Sequence, residues 1–463
     1  MMATYNIKLL ARDARKALKI LNEQGLKEFV TRIKDRIIRS EQTELSSKPR
    51  KILDYDTSPV HFIGSKFNQE GLERALENLR EKPFVLAISQ DNYLKVVGGV
   101  QLKIADQQRE MNDKGLSYLH LSPFKARTTL DFSNKPGVMN LDLDGQFIGF
   151  ADDETLLSAF TSLSEAGTLK EIAIHHLIGW KLSYVEQLLI LTKNVPVHFW
   201  LHDFFSICPN YKLLRNDREY CHAPEPRSNA CQLCIFGTIR PLHYQAFCSL
   251  FQRFPIQVIS PSEFALDLWC EKFPMNPSEV RVVPHAKLEW GENLKGFNQQ
   301  EPLKVAFVGY PVLHKGWQTW LNLTNQFGKD SRYKFYLFSA NKQPSHNFDN
   351  ISVEVTRQNR SAMIDALRKN EIDVAFLWSI CPETFSFTLY EALASGCYIV
   401  TNPASGNIQD TILRNPQWGK IYASEIELLK AFEEGSILQD FKLFNESNRR
   451  TGRLILVKDN VQN

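Results

Sequence analysis

The sequence predicts an α/β protein of two doubly wound, parallel-sheet domains facing a central cleft, with a helical N-terminal extension. Three observations carry this. Short apolar runs alternate with helix-forming stretches from about residue 80 to residue 272. The alternation pauses over the polar segment 284–302 and restarts at Leu303. Within the second half, the strand Ile372–Trp378, a loop, a helix from Leu389 to Ser395 stopped by Gly396, and the strand Tyr398–Val400 spell one complete βαβ unit.

Residues 1–58 read as a basic helical extension and linker. Ile7, Leu10, Ala14, Leu18 and Leu21 recur at helical spacing with Lys8, Arg12, Arg15 and Lys19 between them; after Gly25 the stripe resumes at Phe29, Ile33 and Ile37. Such a helix lies on an anionic membrane surface, or packs against its own protein or a partner chain. The first Rossmann-like domain spans 80–285. Its strands are Phe84–Ser89, Leu116–Leu121, Val138–Leu143, Glu171–His175, Val195–Leu201 and Gln257–Ser260, with a helix after Gly98-Gly99 and others at 154–164, 181–193 and 262–272. A cysteine-rich insertion occupies 204–240. The second domain spans 300–445, with strands Leu303–Gly309, Tyr333–Phe338, Ile351–Val355, Ile372–Trp378 and Tyr398–Val400; residues 446–463 read as a tail.

A chain of 463 residues exceeds what one core supports, which agrees with two domains. No run of apolar residues is long enough to span a bilayer, and the first residues lack a signal core, so a cytoplasmic location is expected, at the inner face of the membrane if the basic helix docks there. Net charge is only +3, but residues 1–51 hold 13 Lys and Arg against 6 Asp and Glu, and the remainder 42 against 46. That distribution does not describe a nucleic-acid binder. Cys208, Cys221, Cys231 and Cys234 follow a C-x12-C-x9-C-x2-C spacing. Four thiolates suit a closed structural zinc site, and four reduced cysteines in an ordered loop are the alternative. Cys248, Cys270, Cys381 and Cys397 are isolated and read as apolar filling.

Glu383 and Glu391 bracket the loop of the βαβ unit, E-x7-E, at the carboxyl end of its strand, where such sheets bind ligands. Free N–H groups at the helix start suit a phosphate, and the flanking carboxylates can accept hydrogen bonds from the hydroxyls of a sugar and a ribose. Thr388 and Glu391 also fit a capping box, which would give Glu391 a purely structural task.

Over roughly residues 80–440 these motifs resemble, in order, the GT-B fold and retaining glycosyltransferase family 4, in particular bacterial members acting on surface polysaccharides. The resemblance makes 80–285 the acceptor domain and 300–445 the nucleotide-sugar donor domain. Gly98-Gly99 matches the family's glycine loop, and Ile174-His175-His176-Leu177 the position whose histidine lies beside the reacting sugar; His176 is expected in that role, with His175 the alternate. His202 and Asp203 are acceptor-side candidates, or pair with each other to pin their loop. Gly309 and Lys315 match the donor-phosphate motif, although Tyr310 stands where the family often has arginine. Glu383 would hold the donor sugar and Glu391 the ribose. Phe385, Ser386, Phe387 and Thr388 would offer backbone N–H groups, with Ser386 replacing the usual glycine. Ser405-Gly406-Asn407-Ile408 would touch the nucleotide or sugar end.

The implied activity is transfer of a sugar from a nucleotide diphosphate sugar to a glycan or lipid-linked acceptor, with retention, in surface polysaccharide or lipopolysaccharide synthesis. His176, Glu383 and Lys315 are the expected catalytic residues. No cofactor is required, because the protein supplies the positive charge that the departing diphosphate needs. A nucleotide-sugar epimerase of the same architecture and a non-catalytic assembly subunit are the rival readings.

Overall fold

The computed structural model describes residues 66–293 and 302–458, so the basic stripe at 6–40 lies outside the described residues. The strands among the described residues are, in chain order, β1 Phe84–Ile88, β2 Ser117–Pro123, β3 Val138–Leu143, β4 Gln146–Asp152, β5 Leu169–Ile174, β6 Val197–Trp200, β7 Leu214–Arg215, β8 Glu219–Tyr220, β9 Ile256–Ser260, β10 Glu279–Val282, β11 Ala286–Asn293, β12 Leu303–Val308, β13 Tyr333–Ser339, β14 Asp349–Ser352, β15 Val374–Phe376, β16 Tyr398–Thr401, β17 Gly419–Ile421 and β18 Arg450–Leu456. Two sheets dominate. The first runs β10-β9-β6-β5-β1-β2-β3-β4, and the second β14-β13-β12-β15-β16-β17.

The second sheet is parallel throughout. Strand alternation divides its side chains between two layers: Leu303, Val305 and Phe307 face one apolar cluster with Trp320, whereas Ala306 and Val308 face another with Phe338 and Leu389. Burial on both faces is why such strands read as continuous apolar runs. The first sheet is parallel from β10 to β2, but β2, β3 and β4 pair antiparallel. The parallel sheet expected there is therefore mixed at one edge. Asp144 (φ 49°) and Gly145 (φ 81°) form the two-residue turn from β3 to β4, the left-handed pair that an Asp-Gly hairpin uses.

The polar segment 284–302 and the tail 446–463 also differ from expectation. β11 and β18 lie within them and pair with each other antiparallel, from Ala286 opposite Leu456 to Asn293 opposite Arg450. Arg368 then donates to the carbonyls of Ala394 and Gly452, tying this ribbon to the second domain. Among the described residues no helix is long and apolar enough to cross a membrane.

Chain order reverses in both sheets, and the reversals place the site. In the first, β1 leads outward to β2 on one side while β5 leads to β6 and β9 on the other. The loops leaving β1 and β5 diverge there, carrying Gly98-Gly99 and His175-His176. In the second, β12 leads to β13 and β15 to β16, so the loops with Gly309–Lys315 and Glu383–Thr388 flank the other crevice. Ligands of open α/β sheets bind outside the carboxyl ends of strands at such points.

Candidate functional site

All described residues belong to one compact unit, and the two domains meet at the E-x7-E loop. Thr384 Oγ1 donates to the His202 carbonyl at 2.5 Å, and Ser262 Oγ donates to the Thr384 carbonyl at 2.7 Å. The start of this loop is fixed from its other side by Gly406. Its φ of 65° is in the left-handed region, and a Cβ there would lie 2.5 Å from the Glu383 nitrogen, so only glycine admits the bridge between Glu383 and residue 406. Asn407 N–H then donates to the Glu383 carbonyl at 2.8 Å. Thus the stretch 405–408 supports the loop from below.

The Glu383 carboxylate accepts from Lys315 Nζ at 2.6 Å and from Ser379 Oγ at 2.9 Å, both on Oε1. No hydrogen bond reaches Oε2 among the described residues, which leaves that oxygen for a ligand hydroxyl. Burial works against the Lys315 charge, but the Glu383 carboxylate outweighs it and raises the lysine above its ordinary value. Gly316 makes this reach possible: at φ 85°, an added Cβ would stand 2.2 Å from the Trp378 carbonyl oxygen. Lys315 is therefore aimed at Glu383.

The helix Phe387–Ala394 follows, and its cap is Ser386, not Thr388. Ser386 is extended (φ −113°, ψ 101°), its hydroxyl accepts from Leu389 N–H at 3.3 Å, and it meets Thr388 Oγ1 at 2.9 Å. Serine in place of glycine is thus a helix cap needing no left-handed backbone. The N–H groups of Phe387 and Thr388 open the helix with no acceptor inside it. Glu391 takes no part in capping. It is 5% exposed, and no donor among the described residues reaches its carboxylate. Burial raises its carboxyl to about 7, against the opposing pull of Arg360.

A cavity of about 230 Å³ joins the two crevices. Gly98, Gly99, Gly309, Phe387, Thr388 and Glu391, all expected from sequence, line it. A liquid water occupies about 30 Å³, so the space suits an organic ligand rather than a lone ion or water. A Cβ on Gly99 would meet nothing within 4 Å, since it would stand in open space. Lys315, Glu383, Phe385 and Ser386 are not among its lining residues. Phe385 instead stacks on Tyr390 with rings 4.9 Å apart and lies 5.1 Å from the His285 ring. Sequence reasoning missed Arg360, Met363 and Val353–Val355, which line the side formed by the loop after β14 and the helix Ala362–Lys369. Their only signal is position at a strand's carboxyl end.

The four histidine-region candidates pair in a crossed pattern. His176 Nδ1 accepts from Ile178 N–H at 3.1 Å, so its Nε2 carries the proton and donates to Asp203 Oδ2 at 2.9 Å. His175 instead faces the interior: Nδ1 meets His202 Nε2 at 3.0 Å, and Nε2 meets Gln107 Oε1 at 2.8 Å. His202 and Asp203 do not pair with each other. Burial drives His175 well below the imidazole range and His202 down to about 3, so both are neutral. Among these residues His176 is the one joined to a carboxylate, and Asp91, whose carboxyl burial raises, faces it from the loop after β1.

Cys208, Cys221, Cys231 and Cys234 border one small space as free thiols. Among the described residues, however, no three His, Cys, Asp or Glu side chains are grouped to hold a metal ion. Arg240, 2% exposed, reaches into this region, donating to Cys231 Sγ at 3.3 Å, the Pro224 carbonyl at 2.6 Å and the Ile207 carbonyl at 3.2 Å. Burial pushes the Cys208 thiol up to about 12. Arg240→Ala strands two carbonyls at one to three kcal/mol each, so a loss of about 3 kcal/mol is expected in denaturant melts. An unchanged midpoint would remove Arg240 as the staple of this insertion.

No family model matches the chain, and no curated protein does. Solved structures similar to it include a sucrose-phosphate synthase from Thermosynechococcus elongatus, 13% identical over 79% of this chain and 92% of that one, with a TM-score of 0.47. HepE of Anabaena in complex with UDP and glucose is 11% identical over 79% and 92%, with a TM-score of 0.46. A UDP-forming α,α-trehalose-phosphate synthase from Burkholderia vietnamiensis is 10% identical over 79% and 95%, with a TM-score of 0.42.

Proposed function

We propose that the chain is a GT-B glycosyltransferase that moves a sugar from a nucleotide diphosphate sugar to an acceptor held by the first domain. One observation carries this reading: Glu391, a buried carboxylate that no donor among the described residues reaches, faces the same cavity as the open N-terminus of the helix Phe387–Ala394. A ribose diol supplies the hydrogen bonds that Glu391 lacks, and a diphosphate supplies the acceptors that the Phe387 and Thr388 N–H groups lack.

In this reading the donor sugar lies toward Glu383, whose Oε2 accepts a sugar hydroxyl while Lys315 and Ser379 hold Oε1. The bond from the anomeric carbon to the diphosphate oxygen breaks. The acceptor oxygen bonds to that carbon on the same face, and its proton passes to the departing diphosphate oxygen. The helix N-terminus stabilises the charge that develops. His176, oriented by Asp203, borders the reacting sugar from the first domain. The acceptor is a glycan or lipid-linked sugar, consistent with a surface polysaccharide role and with membrane contact through the basic N-terminal stripe.

Lys315→Met removes the donor that fixes Glu383 and is expected to lower turnover about 100-fold. Unchanged turnover would remove the pair from the site. The function itself is tested by a panel of nucleotide sugars monitored for diphosphate release with and without glycan and lipid-linked acceptors. Acceptor-dependent release supports transfer. Conversion of donor without acceptor identifies an epimerase, and no nucleotide diphosphate binding identifies a non-catalytic subunit.

A further inference from the structure

The charged lining of the cavity is unbalanced. Glu354 and Glu391 are its carboxylates, and Arg360 is the one basic side chain among its described lining residues. Arg360 stands on the loop between β14 and the helix Ala362–Lys369, in the second domain. Its guanidinium lies over the Phe387 ring, 5.1 Å from the centroid, which places it at the first residue of the helix that opens onto the cavity. Nη2 reaches Asp106 Oδ2 of the first domain at 3.7 Å, a loose ion pair on a side chain 20% exposed. Nη1 is buried and has no hydrogen-bond partner among the described residues. Leaving a guanidinium N–H buried and unpaired costs more than leaving a neutral group so.

We infer that Arg360 is the donor-phosphate cation of this site: Nη1 takes a phosphate oxygen of the bound nucleoside diphosphate, and Asp106 balances the guanidinium when the cavity holds no donor. This rests on the donor-site reading above. The chemistry fits because guanidinium N–H groups form strong, directional bonds to phosphate. Lys315, the cation that the sequence motif suggested for the phosphate, is paired with Glu383 and absent from the lining. Because Asp106 belongs to the helix Gly99–Asp113, the arginine also links the phosphate to the first domain. Phosphate binding therefore draws on a residue that touches both domains.

The test is titration of UDP, GDP and ADP into the full chain, with uridine, guanosine and adenosine as competitors. Wild type, Arg360→Gln, Arg360→Lys and Glu391→Gln are compared. For the diphosphate that binds, Arg360→Gln is expected to weaken affinity about tenfold or more, with the matching nucleoside's inhibition constant unchanged and Arg360→Lys recovering part of the loss. Glu391→Gln is expected to weaken diphosphate and nucleoside alike, since both carry the ribose. Unchanged diphosphate affinity in Arg360→Gln overturns the assignment, as does an equal loss for diphosphate and nucleoside, which would make Arg360 packing for Phe387. If Glu391→Gln weakens binding while Arg360→Gln does not, the Arg360 inference fails and the donor-site reading stands. If wild type binds no diphosphate, both fall.

Discussion

Replacement of Glu383 by glutamine is expected to lower turnover by about 10²- to 10³-fold while nucleotide diphosphate still binds. The reason lies in how the carboxylate is held. Oε1 takes both Lys315 and Ser379, the backbone is clamped by the Gly406 bridge and Asn407 N–H, and Oε2 faces no donor among the described residues. Such an oxygen is preorganised for a hydroxyl that the protein does not supply. Glutamine preserves shape, so the clamp persists and the melting temperature should move by only a few degrees. It cannot, however, accept on both oxygens, and the neighbouring Lys315 loses its counter-charge. Steady-state kinetics with the donor found in the panel decides it. Unchanged kcat would remove Glu383 from the reacting end, and loss of the fold would make its role architectural.

Glu391→Gln is expected to have the other large effect, on binding and on the pH dependence of stability. Burial holds the carboxyl at about 7 in the folded chain against an ordinary 4.5. Between those values the folded chain holds a proton that the unfolded chain has released. The stability this gives is full below about 4.5 and is lost as pH rises through 7, roughly 3 kcal/mol in all. The glutamine variant carries no such titration. Its stability relative to wild type should therefore improve by about that amount between pH 5 and pH 8 in denaturant melts. Donor affinity runs the opposite way in wild type, because the ionised carboxylate is the better acceptor for a ribose diol. About one carboxyl in ten is ionised one unit below its pKa, so affinity at pH 6 should be about tenfold weaker than at pH 8. A variant that binds donor as wild type does, or a flat wild-type pH profile, would contradict the ribose role.

What the sequence showed of the fold and what it hid have physical causes. Strands buried on both faces, such as β1 and β12, announce themselves as apolar runs, and Ser262 before the helix Glu263–Lys272 is a cap readable from its neighbours. β4 was not expected: Asp144-Gly145 marks its turn, but its own residues, Gln146–Asp152, are half-polar because the strand lies at a sheet edge. The ribbon of β11 and β18 joins segments from opposite ends of the second domain, so neither segment alone reads as a strand with a partner. The site divides the same way. Glu383 and Glu391 were legible because one βαβ unit carries both. Lys315 was visible as a cation, but its commitment to Glu383 depends on the turn at Gly316 and on the loop that follows β15. Arg360 gave no local sign beyond following a strand's carboxyl end; the loop after β14 and a helix of the first domain define its place together.

The most direct test of the central claim is a crystal structure of the chain with a saturating nucleoside diphosphate. The ribose is expected on the Glu391 carboxylate and a phosphate at the Phe387 and Thr388 N–H groups, in the cavity between Gly99 and Gly309. A nucleotide bound elsewhere, or this cavity left without one at saturation, would contradict it.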